Sequence, residues 1–318
     1  MEKEEQILEK LLNKNTRSIA ICMHNNPDGD SIGSARALEI FLQSKNKEVE
    51  IIFQTKAHVD FAPIIGEDRV GQVIIPSKRF DVLVLLDCSD LARTINVYDF
   101  SNYIIVIDHH KSSKPFGDIY YYEPVSATGM LIYKIIKHHI KIDAEIATSL
   151  YLSIRSDTNS FKNCNTDYPT MLLAARLIKN GADIQIINNM YDYKTLTFTK
   201  LMGDVLENIQ YNQYNKIAYL VVNEKQIKKA KSNFNEASSL VDILIAMKGI
   251  KVAYLFLVND EKIIIKARSQ DINVSEILSQ FGGGGHITAA GAFVESIDTY
   301  SVIEHVLKIT KQKLNERS

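Results

Sequence analysis

The chain has 318 residues, 46% of them hydrophobic, and its 37 basic residues nearly balance 38 acidic ones. This length predicts two domains, and the near-zero net charge argues against a protein that coats long nucleic acid or an anionic membrane. Because Cys22, Cys88 and Cys164 form no CxxC pair, neither a zinc site nor a disulfide framework is indicated, and a reducing cytoplasm is the expected location. We predict no signal peptide and no membrane segment, since the apolar runs fall well short of about 20 residues.

The first half of the chain alternates short apolar runs with helical patterns. The runs SIAICMH, VEIIF, DVLVLLD and YIIVIDHH are apolar on both faces, which is typical of buried parallel strands. Segments such as SARALEIFLQS then supply crossover helices. This pattern predicts an α/β domain with a doubly wound, mainly parallel sheet over residues 1–189. Polar motifs follow several of these strands, at the edge where open α/β sheets bind ligands.

The second half predicts a smaller domain of a different kind. Residues 190–209 have the pattern of a helical linker, and residues 210–318 begin a new alternation that includes KIAYLVV, GIKVAYLFLV and EKIIIKARS. Hairpin-like breaks such as NDEK favour a mixed or antiparallel sheet with helices. We expect the active site in the cleft between the two domains.

The segment HNNPDGDSIGS carries the first candidate metal ligands. His24, Asp28 and Asp30 lie at the end of the first strand and the start of the first crossover helix. A turn there can aim both carboxylates into one site, and an imidazole with two carboxylates suits a divalent ion. The alternative is a turn whose aspartate caps the helix.

Three further segments add titratable side chains after apolar runs. Asp87 ends the run DVLVLLD, where an unpaired carboxylate facing the core would be costly. Asp90 is a candidate catalytic residue, with a cap or turn residue as the alternative. The adjacent His109 and His110 point to opposite sides of an extended segment, so we predict that one ligates metal and the other meets substrate or structure. Asp157, in SIRSDTNSF, ends a helical run.

Charge makes a two-metal centre the preferred interpretation. Four carboxylates, those of Asp28, Asp30, Asp87 and Asp157, would repel one another unless about two divalent cations neutralised them. Two such ions sharing Asp87 could hold a hydroxide between them for in-line attack at phosphorus. Mixed imidazole and carboxylate ligands favour manganese or a similar ion over magnesium.

The segment FGGGGHITAAG predicts an anion-binding loop. Its consecutive glycines, among them Gly283, Gly284 and Gly285, let backbone N–H groups approach a phosphate, and His286 adds a side-chain donor. Arg268, at the end of the run EKIIIKARS, could reach the same anion with a forked pair of bonds. The alternatives are a flexible loop and a surface arginine.

Taken in order, these motifs resemble the DHH phosphoesterases that carry the family's C-terminal associated domain. HNNPDGDSIGS, LLDCSD, IDHH and SDTNSF appear in the family's order, followed by ARS and GGGGHITAAG. One departure is Asn159, where the family often has glycine. The resemblance implies a two-manganese site whose ligands are His24, Asp28 and Asp87 for one ion and Asp30, Asp87, His109 and Asp157 for the other. It also implies that His110 contacts the scissile phosphate and that Arg268 and His286 bind substrate.

Within this superfamily the chain most resembles bacterial nanoRNase/pAp-phosphatases. The expected activity is therefore manganese-dependent hydrolysis of short oligoribonucleotides and adenosine 3′,5′-bisphosphate (pAp), without binding of long nucleic acid or membrane. Alternatives are a pApA or cyclic di-AMP phosphodiesterase, an inorganic pyrophosphatase and a non-catalytic nucleotide-binding module. The sequence leaves the oligomeric state open, with a homodimer as one hypothesis.

Overall fold

The computed structural model describes residues 2–88, 90–110, 112, 114–214, 216–259, 261–285, 287–295 and 298–316. The chain divides into two units, Met1–Tyr193 and Lys194–Ser318. Among the described residues, the helices are too short or too polar to cross a membrane. His286, predicted to bind substrate, lies outside the described residues.

The first unit is built on a parallel sheet. Its strands are β1 (Ser18–Met23), β2 (Glu48–Ile52), β3 (Val82–Leu86), β4 (Ile104–Asp108) and β5 (Ile119–Tyr122). Its helices are α1 (Lys3–Leu12), α2 (Gly29–Ser44), α3 (Ala62–Ile65), α4 (Thr128–Ile136), α5 (Ala144–Asp157), α6 (Tyr168–Lys179) and α7 (Ile184–Tyr191). The strand order β2-β1-β3-β4-β5 places a topological switch point between β1 and β3, where such sheets bind ligands.

The two faces of this sheet are covered differently. On one face, side chains from the helices pack against alternate strand residues such as Ile21, Val84 and Ile107. On the other face, Cys22, Leu85 and their neighbours pack against loop residues and the 3-10 turn at Val97. Both faces are therefore buried, which explains why the strands read as continuous apolar runs.

Helix α2 lies close to α5 because small residues face each other where they cross. A Cβ placed on Gly33 would lie 2.2 Å from the carbonyl oxygen of Ser149, and one on Gly29 would lie 2.8 Å from the Cβ of Ser156. Only glycine fits at these two positions without moving a helix. This contact brings the start of α2 near the end of α5, and both ends carry candidate metal ligands.

The second unit is built on a mixed sheet. Its strands are β6 (Gln210–Asn212), β7 (Ile217–Asn223), β8 (Val252–Val258), β9 (Ile263–Ser269), β10 (Gly284–Gly285) and β11 (Ala289–Val294). Its helices are α8 (Leu196–Val205), α9 (Glu224–Ala230), α10 (Phe234–Ser238), α11 (Leu240–Ile245), α12 (Val274–Ser279) and α13 (Thr299–Asn315). In the order β10-β11-β9-β8-β7-β6, only the β7–β8 pair is parallel among the described strands. The predicted fold class, a parallel α/β domain followed by a mixed-sheet α/β domain, is confirmed.

Helix α8 belongs to the core of the second unit. Phe198, Leu201 and Val205 are buried in the same cluster as Leu220 of β7 and Leu244 of α11. The sequence predicted a helical linker over residues 190–209, but residues 192–195 separate α7 from α8. Burial of its apolar stripe explains why α8 is a stable helix although it is short.

Candidate metal centre and anion pocket

Aspartate and histidine side chains from several elements of the first unit meet at the carboxyl edge of its sheet. They follow β1, β3 and β4 or occupy the adjoining ends of α2 and α5. We call this set the Asp–His cluster; its members are His24, Asp28, Asp30, Asp87, Asp108, His109, His110 and Asp157. Within the cluster, three overlapping groups of side chains each bring their ligand atoms within 4.8 Å of one another.

The first group joins His24, Asp28 and Asp87. Nε2 of His24 lies 3.4 Å from Oδ2 of Asp87 and 4.0 Å from Oδ2 of Asp28. The Nδ1–H of His24 donates to the carbonyl oxygen of Asn25 at 2.7 Å, which leaves the Nε2 lone pair for a metal. Asp28 also caps α2, since its Oδ1 accepts from the N–H groups of Asp30 and Ser31 while Oδ2 faces the group. Capping and metal ligation, alternatives at the sequence level, are thus compatible here.

The second group centres on His109. Its Nε2 lies 3.2 Å from Oδ2 of Asp157 and 3.6 Å from both Oδ2 of Asp30 and Oδ1 of Asp87. Its Nδ1–H donates to the carbonyl oxygen of Val125 at 3.0 Å. The buried Nε2 atom has no hydrogen-bond partner among the described residues. An imidazole nitrogen left unpaired among three carboxylate oxygens fits a cation-binding position.

Asp87 belongs to the first group and also contacts His109, the histidine at the centre of the second group. Its Oδ2 faces His24 and its Oδ1 faces His109, so the two carboxylate oxygens point into different groups. The residue has a left-handed backbone with φ 55°, which is uncommon for aspartate, and its N–H donates to the carbonyl oxygen of Ile107. Backbone strain of this kind is often found at functional sites. The left-handed conformation of Asp87 turns its carboxylate out of the strand direction and toward the cluster.

Backbone and hydroxyl donors hold Asp30 in a fixed position. The N–H of Thr128 donates to Oδ2 at 2.8 Å, and that of Gly129 donates to Oδ1 at 3.2 Å, both from the start of α4. The hydroxyls of Ser34 and Ser153 also donate to Oδ1. Asp30 is fully buried, and burial and the charge of Asp87 raise its pKa well above the usual value, so these donors offset only part of the cost of removing its charge from water.

The electrostatics of the cluster favour binding of positive charge. Burial raises the pKa of Asp157 to about 7, and the charges of Asp87 and Asp28 add to this effect against the opposing influence of His109. Burial and then Asp87 likewise raise the pKa of Asp28. Burial lowers the pKa of His109, but the nearby carboxylates of Asp87 and Asp30 outweigh burial and raise the pKa to about 9. Without metal, protons must therefore balance the carboxylates, and divalent cations would displace them.

His110 is oriented by a residue that the sequence analysis assigned no role. Nδ1 of His110 lies 3.1 Å from Oδ1 of Asp108, which also accepts the backbone N–H of His110. These contacts and Asp87 outweigh the effect of burial and raise the pKa of His110 to about 11, so its ring carries a positive charge at neutral pH. His110 is more exposed than His109, with 36% against 8% of its side chain accessible. This arrangement suits a cation that meets an anionic substrate.

Asp90 does not join the cluster. Its exposed carboxylate caps the 3-10 turn Leu91–Arg93, where Oδ1 accepts from the N–H of Ala92 at 2.9 Å. Capping therefore accounts for Asp90, and within the described part of the chain its carboxylate has no contact that supports a catalytic role. Asn159, the departure from the family pattern, has φ 48° and begins a left-handed turn that continues through Phe161.

Hydrogen bonds from Arg155 stabilise the end of α5 that carries Asp157. The side chain is buried, and its guanidinium donates to Ser160 at 3.2 Å, to Asn188 at 2.7 Å and to Asp192. These bonds connect the left-handed turn after Asp157 to α7. No pattern in the sequence indicated this contact, because an arginine in a helical run usually faces solvent.

We expect Arg155→Met to weaken manganese binding about tenfold while leaving a folded protein. The substitution keeps apolar volume but removes the bonds that orient the turn after Asp157, and loss of such outer contacts costs metal sites about 10- to 100-fold in affinity. Calorimetric titration of metal-stripped protein with manganese measures the change, with Arg176→Met on the exposed side of α6 as the control. Unchanged manganese affinity in a less stable protein would assign Arg155 to folding alone.

The second unit contains a pocket of about 400 Å³ with two cationic side chains. Lys266 and Arg268 reach it from β9, beside the backbone of Gly284 and Gly285. Burial lowers the pKa of Lys266, and the nearby charge of Arg268 lowers it further. Nε of Arg268 donates to Oδ1 of Asp242 at 2.8 Å. An anion in this pocket would relieve the repulsion between the two cations.

Glycines of the predicted loop have separate roles. A Cβ on Gly283 would lie 2.3 Å from the carbonyl oxygen of Gly291, so this glycine permits close packing and does not line the pocket. Gly285 has φ 148°, and a Cβ there would meet the carbonyl oxygen of Ala289 at 2.5 Å. A Cβ on Gly284 would have no described atom within 4 Å. Gly284 is therefore the position where packing does not require glycine and a ligand could approach.

Comparison with known proteins identifies both units. Residues 18–154 match the DHH family, N-terminal domain, and residues 214–316 match the DHHA1 domain. The chain is 26% identical to the bifunctional oligoribonuclease and PAP phosphatase NrnA of Thermus thermophilus, over 93% of this chain and 90% of that protein. The same-named protein of Bacillus subtilis is 25% identical, over 88% of this chain and 90% of the relative.

A solved structure supports the fold over nearly the whole chain. The crystal structure of an exopolyphosphatase-related protein from Bacteroides fragilis superposes with a TM-score of 0.86 at 23% identity. The match covers 98% of this chain and 96% of that one.

Proposed function

Because the chain joins a DHH family N-terminal domain to a DHHA1 domain, and is thus a DHH-family phosphoesterase, we propose that it hydrolyses short oligoribonucleotides and pAp with two manganese ions. The observation that carries this proposal is the position of Asp87, whose two carboxylate oxygens face two separate groups of candidate ligands. A site for a single ion would not need this arrangement. The oligoribonuclease and PAP phosphatase relatives support the choice of substrates.

In this proposal the residues divide into ligands and substrate contacts. His24, Asp28 and Asp87 would hold one ion, and Asp30, Asp87, His109 and Asp157 the other. When bound, the two ions supply Lewis acidity at phosphorus and acidify a water molecule. The mixed imidazole and carboxylate donors favour manganese. His110, held by Asp108, contributes a fixed positive charge for the scissile phosphate, and Lys266 and Arg268 contribute an anion-binding pocket.

A substrate panel tests the proposed activity. Metal-stripped protein reconstituted with manganese is assayed on pAp, pApA, dinucleotides, cyclic di-AMP and pyrophosphate. Highest efficiency on pAp and dinucleotides is expected. A preference for cyclic di-AMP, pApA or pyrophosphate would identify that compound as the substrate instead. If no compound in the panel were hydrolysed, the remaining interpretation would be a non-catalytic nucleotide-binding module.

We expect catalytic efficiency to fall, or stay flat, as RNA lengthens. Proteins that follow long single strands use a basic groove with stacking aromatics that spans about 4–16 nucleotides per binding fold. This chain has a formal net charge of −1 and no tryptophan. Extra nucleotides would then add ordering cost with little binding.

The measurement is kcat/KM for a 5′-phosphorylated series from two to about twenty nucleotides, chosen to exceed the site size of a single binding fold. The same series at low and high salt separates specific contacts from general electrostatic attraction. A steady rise with length that salt abolishes would reveal an extended electrostatic track and contradict the assignment.

A further inference from the structure

Helix α6 carries a second apolar face that its own unit leaves exposed. The inward face packs Thr170, Leu173, Ala174 and Leu177 against the first unit. On the outward face, Tyr168 is 77% exposed, Met171 50%, Leu172 38% and Ile178 45%. Ala175 is exposed between them.

The spacing of these outward residues makes them one continuous surface. Positions 168, 171, 172, 175 and 178 follow the i, i+3, i+4, i+7 pattern, so they form a single stripe about 15 Å long on one side of the helix. We call this surface the α6 stripe. Single exposed apolar residues need no explanation, but an aligned set including tyrosine and methionine is typical of an interaction surface.

Charge at the two ends of α6 favours a second copy of the same helix as the occupant. Asp167 caps the amino end, while Arg176 and Lys179 lie in the last turn. An antiparallel pair of α6 helices would place the acidic end of each beside the basic end of the other and would oppose their helix dipoles. The stripe is thus complementary to itself under twofold symmetry, the commonest symmetry of homo-oligomers.

We propose that the α6 stripe is the interface of a homodimer in which two copies of α6 pack antiparallel across a twofold axis near Leu172 and Ala175. The small Ala175 side chain at the middle allows the helices to approach closely, and the larger residues to either side interdigitate. This proposal concerns assembly and does not depend on the activity proposed above.

The size of the stripe sets the expected strength. Stable interfaces bury about 800 Å² on each partner. A single face of a helix about 18 Å long provides less area than this. A dissociation constant on the order of 10 µM is therefore expected, in the range of weak, reversible complexes. Sedimentation velocity of the full chain at concentrations spanning that value measures the equilibrium.

One substitution and a matched control test the location. Leu172→Glu would place two carboxylates near the twofold axis in an apolar interface, so we expect dimerisation to weaken more than tenfold. Val59→Glu introduces the same charge at an apolar residue that is 60% exposed elsewhere in the first unit, and it should leave the dimer unchanged. Circular dichroism of both variants verifies that they are folded.

Cross-linking tests the geometry. In a Cys164→Ser background, Ala175→Cys should form a disulfide-linked dimer on mild oxidation, since facing residues near the axis come within bridging distance. Arg176→Cys is the control, because the next residue points about 100° away around the helix. Burial raises the pKa of Cys22 to about 11 and that of Cys88 to about 12, so these thiols should not compete.

Three results would overturn the proposal. A monomer at every concentration would show that the stripe does not self-associate. A dimer weakened equally by Leu172→Glu and Val59→Glu, or one insensitive to both, would place the interface elsewhere. Cross-linking at Arg176→Cys in preference to Ala175→Cys would exclude the antiparallel packing.

Discussion

Asp87→Ala is expected to lower phosphoesterase activity by more than about 10³-fold. Loss of a single hydrogen bond to a transition state lowers kcat by about 10²- to 10³-fold, and a ligand shared by two ions should contribute at least as much to catalysis. The residue supplies one oxygen to the group around His24 and the other to the group around His109. Removing it would disturb both ions at once. The assay compares kcat/KM on pAp before and after chelation and after addition of excess manganese. Wild-type activity should return with manganese, and that of the variant should not.

Asp90→Ala is the matched control. Asp90 follows the same strand three residues later, but its exposed carboxylate caps a turn outside the cluster. We expect this variant to retain activity close to wild type. Equal losses in the two variants would instead indicate a general effect on the loop after β3.

Thermal stability gives a readout that does not need turnover. Ions that bind only the folded state should raise the melting temperature of the wild type as manganese is added. Asp87→Ala should show a much smaller rise. A metal-stripped Asp87→Ala protein with substantial activity and a full manganese-dependent stabilisation would refute the two-metal interpretation.

Much of the cluster could be predicted because parallel strands bring their carboxyl ends to one edge. Asp87 and His109 follow adjacent strands, β3 and β4, and His24 follows β1, the other neighbour of β3. Apolar runs identify such strands from sequence alone, and the polar residues after them then converge. The prediction that His109 and His110 point to opposite sides was wrong. Strand β4 ends at Asp108 and the chain bends there, so the two ring centroids lie 4.1 Å apart and both rings face Oδ1 of Asp87.

The contacts that orient these residues have no comparable signal in the sequence. Asp30 is held by Thr128 and Gly129, about a hundred positions later in the chain, and Arg155 is held by Asn188 and Asp192. Such pairs depend on how α2, α4, α5 and α7 pack, and local periodicity does not encode that packing.

Lys266 is a different case, because the sequence of β9 does contain a pattern that points to it. In β9 the buried and partly exposed residues alternate along the strand, so Lys266 and Arg268 share one face. Reading that alternation would have added Lys266 to the anion site. Gly283 was predicted to bind substrate, but packing is what requires glycine there. A run of glycines does not show which of them is needed for packing and which could contact a ligand.

Arg268→Ala is expected to reduce kcat/KM on pAp about 10- to 100-fold while leaving manganese content unchanged. Charge-assisted hydrogen bonds contribute about 1.5–3 kcal/mol, which corresponds to that range. The loss should appear mainly in KM, because the pocket around Arg268 is built to bind an anion and contains no member of the Asp–His cluster.

Lys266→Met tests the same pocket from the neighbouring position on β9. It should cause a loss of similar kind, and the double variant should lose less than the product of the two single effects, since both cations would contact one anion. Lys229→Ala, which removes an exposed lysine of the second unit, is the control for general loss of positive charge. Metal analysis of each variant decides the interpretation. If manganese content fell together with activity in Arg268→Ala, the pocket would affect the metal centre or the fold, and its assignment as a separate substrate-binding site would be wrong.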